Sequence, residues 1–288
     1  MEKGSKRGSS HMIWTDENTS LEASRSTAPD THMRRESQRS NTPYNEFLRT
    51  TMSDYPFTKE TYTNDKAKAG DVVLVFGAHS DDQVFGAGGT IAKLHDDGYT
   101  VITVILSHGE MSHPWLDKEN LAKTRKAESH EAAKILGIYQ TVFFDLPEDR
   151  IYDYYENSPK FQDRILELFE LHTPRIVFTH GPEDTHPSHR HVFKLVSESI
   201  MHLRENHNYT PDVYLYDVWT LVNYKRFLRS YAYFDVTNTF EKKISALRVF
   251  RSQKAALITL WASVYLRAFF AGVSSRYRLA ERFSRVHV

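Results

Sequence analysis

The 288-residue chain contains no cysteine, which excludes a disulfide framework, a thiolate nucleophile, an iron–sulfur cluster and a cysteine-type zinc finger. A metal site, if present, must be built from histidine, aspartate and glutamate, and the 15 histidines make that feasible. An excess of either charge is also missing. The 37 basic side chains are matched by 37 acidic ones, which argues against a protein that works by neutralising nucleic-acid phosphates, so no nucleic-acid partner is expected. The N-terminus has no apolar stretch of the secretory-signal kind. The most apolar run, 255–266, is cut by Arg267 well short of the ~20 residues that a bilayer span requires. A helix packed in the core or in a subunit interface is the expected reading of that run, ahead of a membrane-surface helix. Together these absences favour a cytoplasmic protein.

What is present divides into an arm and a domain. Residues 1–52 are rich in Ser, Thr, Asn, Arg and Glu, with no sustained period of 2.0 or 3.6, and read as disordered. Arg7-Gly-Ser-Ser-His-Met12 resembles an expression-vector remnant, so part of the arm is expected to be a tag and Met52 the natural start. From Asp71 the texture changes to β-branched runs alternating with helical patterns. Strands are expected at 71–78, 99–106, 141–145 and 175–179, and helices at 89–97, 118–136, 159–172 and 188–204. Two further strands, 212–216 and 231–236, precede helices at 240–252 and 254–272. Strands that read as unbroken apolar runs are buried on both faces. The fold class is therefore α/β, a three-layer Rossmann-like domain over 53–288 with a mostly parallel sheet and C-terminal helices.

Two clusters stand where open α/β sheets hold ligands, outside the carboxyl ends of strands. The first follows the first long strand as Ala78-His-Ser-Asp-Asp-Gln83, with Gly86-Ala-Gly-Gly89 close behind. Taken alone, Asp81 and Asp82 could simply cap the next helix. The glycines lack the Gly-x-Gly-x-x-Gly spacing of a dinucleotide site. The second cluster, Thr179-His-Gly-Pro-Glu-Asp-Thr-His-Pro-Ser-His-Arg-His191, places four histidines around the end of the fourth strand. Alone it could be a solvated loop, but two such clusters at matching strand ends can converge. Two neutral imidazoles and one carboxylate suit a divalent zinc ion with a position left for water, and that chemistry points to hydrolysis.

These residues resemble the LmbE-like, or PIG-L, family of zinc-dependent N-acetylglucosamine deacetylases. Its hallmark Ala/Pro-His-Pro-Asp-Asp-Glu corresponds to 78–83, and its Asp-x-His-Pro-Asp-His corresponds to Asp184-Thr-His-Pro-Ser-His189. Ser107-His-Gly-Glu110 is similar to the family's Thr-x-Gly-Glu turn. Arg125-Lys-Ala-Glu128 is similar to its Arg-x-x-Glu helix, and the correspondence runs from about 70 to 283.

The resemblance implies His79, Asp82 and His189 as zinc ligands, Asp81 as general base and His186 as acid or electrostatic partner. It implies Arg125 and Glu110 as substrate contacts, with acetate removed from a small GlcNAc-containing glycoconjugate. The family's habit of assembling implies a homo-oligomer. Ser80, Gln83 and Ser188 depart from the hallmarks without removing a ligand. They motivate an alternative, a carbohydrate-binding homologue without turnover. A second alternative is an amidase that cleaves a different acyl group from a glucosamine-like amine.

Overall fold

A computed structural model describes residues 62–63, 71–109, 117–218 and 230–286. The disordered reading of 1–52 and the substrate contact assigned to Glu110 lie outside the described residues. The strands are β1 (Tyr62–Thr63), β2 (Val72–Gly77), β3 (Thr100–Ser107), β4 (Gln140–Leu146), β5 (Ile176–Thr179), β6 (Asp212–Leu215), β7 (Tyr231–Asp235) and β8 (Ala280–Val286). The helices are α1 (Asp82–Asp96), α2 (Lys118–Leu136), α3 (Ile151–Asn157), α4 (Pro159–His172), α5 (Pro187–His207), α6 (Phe240–Val249) and α7 (Lys254–Ser275). One sheet joins all eight strands in the order β1-β4-β3-β2-β5-β6-β8-β7. The five from β4 to β6 run parallel, and β1 and β8 run antiparallel to their neighbours.

The period-2 geometry of β2 explains the three layers. Val73 and Val75 face a core shared with α1, α2, α6 and α7, whereas Leu74 and Phe76 face a second core with α3, α4 and α5. Each of these four residues is completely buried, as expected of a parallel strand covered on both sides. The strand order reverses at β2. From there the chain moves outward through β3 and β4, then returns to place β5 and β6 on the other side. The crevice between β2 and β5 is thus a topological switch point.

Three local expectations change. Helix α1 starts at Asp82 rather than near 89, because Gly86, Gly88 and Gly89 are helical. A Cβ at Gly86 would run into the ring of Tyr216, so glycine there marks close packing instead of a loop. The segment after β4, where no helix is expected from the sequence, forms the short helix α3. Strand β8 went unforeseen: its sequence AERFSRV carries three charges, yet Ala280, Glu281, Phe283 and Ser284 are buried between β6 and β7. Glu281 is tolerated there because its carboxylate accepts from the amides of Gly89 (3.1 Å) and Thr90 (2.7 Å) and pairs with Lys243 at 2.5 Å. Lys243 also donates to the Phe85 carbonyl at 2.7 Å. A fully hydrogen-bonded buried pair of this kind offsets its desolvation cost and fixes α1 against α6.

Candidate metal centre

The turn between β2 and α1 places His79, Asp81 and Asp82 at the carboxyl edge of the sheet. Asp81 occupies the N-cap of α1 but its side chain makes no capping bond. Asp82 turns back and accepts from the His79 backbone amide at 2.7 Å. Helix capping therefore does not account for either carboxylate. Across the switch point, His180 follows β5 directly, and α5 begins with His186 at its N-cap, Pro187 in the first turn and His189 just inside. Proline suits that first turn because its missing N–H has no helical partner there.

The two clusters converge. His79 Nδ1 lies 3.2 Å from one oxygen of Asp82, and His189 Nε2 lies 3.3 Å from the other. The two imidazole nitrogens are 3.4 Å apart. Each of the three residues is buried, and their ligand-type atoms all fall within 4.8 Å of one another. Two further groups meet the same condition, His79 with Glu148 and His186, and His180 with Asp184 and His189. Both share a histidine with the first, so they surround one centre.

The outer nitrogens of the two histidines also face carboxylates. His79 Nε2 is 3.0 Å from Glu148, in the turn after β4, and His189 Nδ1 is 3.0 Å from Asp184. A carboxylate on the outer nitrogen holds the proton there and leaves the inner lone pair free to bind a metal. Asp184 is itself fixed by the His186 amide at 2.9 Å. Behind Asp82, His180 Nε2 accepts from the Ala78 amide at 3.1 Å, and the ring stacks on His189 with centroids 3.9 Å apart.

The local field calls for positive charge between these groups. Burial opposes charging His79, but Asp82 and Glu148 outweigh it and carry its pKa up to about 10. Burial likewise opposes His189, and Asp82 and Asp184 raise it to about 9. Asp82 is held well below the carboxylate range: His189, His79 and His180 overcome the effect of burial. For Asp81, burial and the neighbouring Asp82 win over His79 and Arg125 and push it up to about 6. Burial together with the charge on His189 lowers His180 to about 4, against the pull of Asp82 and Asp184. Two nitrogens and one carboxylate oxygen, stripped of water and oriented from outside, form a donor set that fits a divalent ion such as zinc.

Of the residues singled out from sequence, His79, Asp81, Asp82, His186 and His189 come together; His186 packs edge-on against His79 with centroids 4.9 Å apart. Arg125 is fully buried, and its guanidinium donates to the carbonyls of His108 and Gly109. Gly109 adopts φ +69°, the left-handed region, and a Cβ there would press on both Arg125 and the His79 ring. Arg125 thus holds the turn beside His79. Sequence reasoning passed over Glu148 as a partner of His79 and left His180 as one histidine among several. Position was the available signal for both, since each follows a parallel strand directly or by one residue.

The buried His/Asp cluster at the switch point of this doubly wound sheet is a centre that could hold a metal ion. Residues 74–200 match the family described as PIG-L: GlcNAc-PI de-N-acetylase, and the relatives similar to this chain include deacetylases. A diacetylchitobiose deacetylase of Thermococcus kodakarensis is 28% identical over 220 residues, spanning 73% of this chain and 80% of that one. The solved N,N'-diacetylchitobiose deacetylase of Pyrococcus horikoshii is 25% identical, with a TM-score of 0.63 over 84% of this chain and 91% of the other. A hydratase from Pseudomonas putida, acting on 4-carboxy-2-hydroxymuconate, shares the fold at a TM-score of 0.64 and 24% identity, over 76% and 97% of the two chains.

Proposed function

We propose that the protein is a zinc-dependent hydrolase that removes the N-acetyl group from a small GlcNAc-containing glycoconjugate. The observation that carries this reading is the convergence of His79, Asp82 and His189, with Asp81 beside them, in a chain whose residues 74–200 match a de-N-acetylase family. His79, Asp82 and His189 would hold zinc, which supplies Lewis acidity and a water of lowered pKa. Asp81 would take the proton from the attacking water. Its raised pKa of about 6 makes it a stronger base than an exposed aspartate while leaving it largely ionised at neutral pH. His186 has its pKa lowered by burial and by the charges on His79 and His189, and is half-exposed. It would stand at the mouth of the centre as a neutral imidazole that donates a hydrogen bond to the oxyanion, while the proton that Asp81 takes from the water passes to the departing amine. Arg125 enters through the charge it sets near Asp81 and through the turn it holds.

The test is acetate release by purified, zinc-loaded protein from a panel of GlcNAc conjugates, with product mass recorded. Release of acetate and a free glucosamine unit is expected, and removal of the metal by a chelator should abolish it. Binding of the conjugates with no release would favour the carbohydrate-binding alternative, and release of a larger acid would favour the amidase. A further expectation concerns the orienting carboxylate. Glu148→Ala should weaken zinc binding by about 10–100-fold, measured by competition with a chromophoric chelator, while leaving the fold intact. Unchanged affinity would mean that Glu148 does not set the His79 proton.

A further inference from the structure

Helix α7 departs from the ordinary rule for a surface helix. Its core side is Leu260, Val264, Ala268 and Ala271, all buried, so the opposite side should be polar. That side instead carries Tyr265, Leu266, Phe269, Phe270 and Val273, between 42% and 63% exposed. At 100° per residue these five positions span an arc of about 140°. Tyr277, 44% exposed, extends the face into the following turn. The polar groups of this part of the helix are used internally. Ser263 donates to the Leu260 carbonyl, Ser274 to Phe270 and Ser275 to Ala271, and Arg267 donates to the carbonyls of Ser263 and Asp217.

Along the chain, the charge next to this face has one sign. Helix α7 contains no aspartate or glutamate. Exposed Arg276, Arg278 and Arg282 follow it, and the one acid between them, Glu281, is buried against Lys243. Among the described residues no helix is long and apolar enough to cross a membrane. The face therefore has the features of a surface-lying element: exposed rings and aliphatic groups, with cations at one end.

We propose that this face docks the protein onto an anionic lipid bilayer surface. The rings of Tyr265, Phe269 and Phe270 enter the boundary between headgroups and acyl chains, and Arg276, Arg278 and Arg282 meet lipid phosphates. A second copy of the chain fits less well. A twofold contact presents the same face to itself, and helix α7 with the turn after it brings no exposed carboxylate to its own arginines. A headgroup layer supplies that missing charge. Arg267 ties the helix to the Asp217 carbonyl at 2.9 Å, in the segment leaving β6 on the sheet edge that carries the His/Asp cluster. The helix is thereby anchored at that edge. The inference rests on exposure and charge and is independent of the deacetylase reading.

The experiment is co-sedimentation of the full chain with vesicles of phosphatidylcholine alone and of mixed phosphatidylcholine and phosphatidylserine, at low and high salt. Binding to the phosphatidylserine vesicles at low salt, weakened by salt, is expected. Since burying one phenylalanine contributes about tenfold or more, the Phe269→Ser/Phe270→Ser variant should lose roughly a hundredfold in partitioning. Arg276→Glu/Arg278→Glu should remove the preference for phosphatidylserine. Both variants alter exposed side chains, and an unchanged melting temperature together with an unchanged circular-dichroism spectrum would confirm an intact domain. No association at low salt, or binding equal in wild type and the phenylalanine variant, would overturn the proposal. So would a dimer in solution that the phenylalanine variant dissociates.

Discussion

Asp82→Ala is expected to remove bound metal and hydrolytic activity together. The carboxylate stands between His79 Nδ1 at 3.2 Å, His189 Nε2 at 3.3 Å and His180 Nε2 at 3.3 Å. Without it, three buried imidazoles face one another with no anion between them, and a divalent ion entering that space meets neutral donors only. Elemental analysis should then find no zinc, and acetate release should fall to background. Alanine also removes the acceptor of the His79 amide, so a loss of folding has to be separated from a loss of ligation. Asp82→Asn does this: it keeps an oxygen for that amide but discards the charge. The Asn variant should fold and still bind zinc poorly. Wild-type zinc content and rate in the Asn variant would show that Asp82 is not a ligand.

Asp81→Asn should behave in the opposite way towards metal and in the same way towards rate. Zinc content should be unchanged, whereas acetate release should fall by about 10²–10⁴-fold, the usual contribution of a positioned general base. Stability supplies an independent readout. In the metal-free protein the pKa of Asp81 rises from 3.8 unfolded to about 6 folded, because burial and Asp82 disfavour its charge. Between these values the folded state binds more protons than the unfolded state, so stability falls as pH rises from 3.8 through 6 and stays lower above it. Asparagine carries no such charge. Metal-free Asp81→Asn should therefore melt at or above the wild-type temperature at neutral pH, and the difference should vanish in acid. A variant that loses activity by unfolding would melt lower, and one with the wild-type rate would remove Asp81 from the mechanism.

The ligand-type residues were legible because chemistry and chain punctuation coincide in them. His79, Asp81 and Asp82 directly follow an unbroken apolar strand, and His186 and His189 flank the first turn of a helix that starts with proline. Residues placed by punctuation of this kind are bound to lie near a sheet edge. Glu148 and His180 are less conspicuous, since a lone glutamate in an acidic turn and one histidine among 15 carry no signal beyond their place after a strand. Their importance comes from distances to His79 and Asp82 that span 69 and 98 positions of sequence. Arg125 was read from a short match as a substrate contact. Its burial against the carbonyls of His108 and Gly109 could be seen only once β3 and α2 were packed together.

The amino-acid sequence by itself determined the chemical limits and the layer architecture. The absence of cysteine removed thiolate donors and left histidine and carboxylates for a hard metal site, and apolar strands alternating with helical patterns required a parallel sheet covered on both faces. Strand order was a matter for the tertiary structure. The reversal at β2 opens the crevice that brings two distant clusters to within hydrogen-bonding distance. Tertiary packing also decided which apolar residues stay outside. Periodicity identifies an apolar helix such as α7 but cannot say which of its sides the core will cover; that depends on how much of its circumference β8 and α6 can reach. What they leave uncovered is an aromatic face beside arginines.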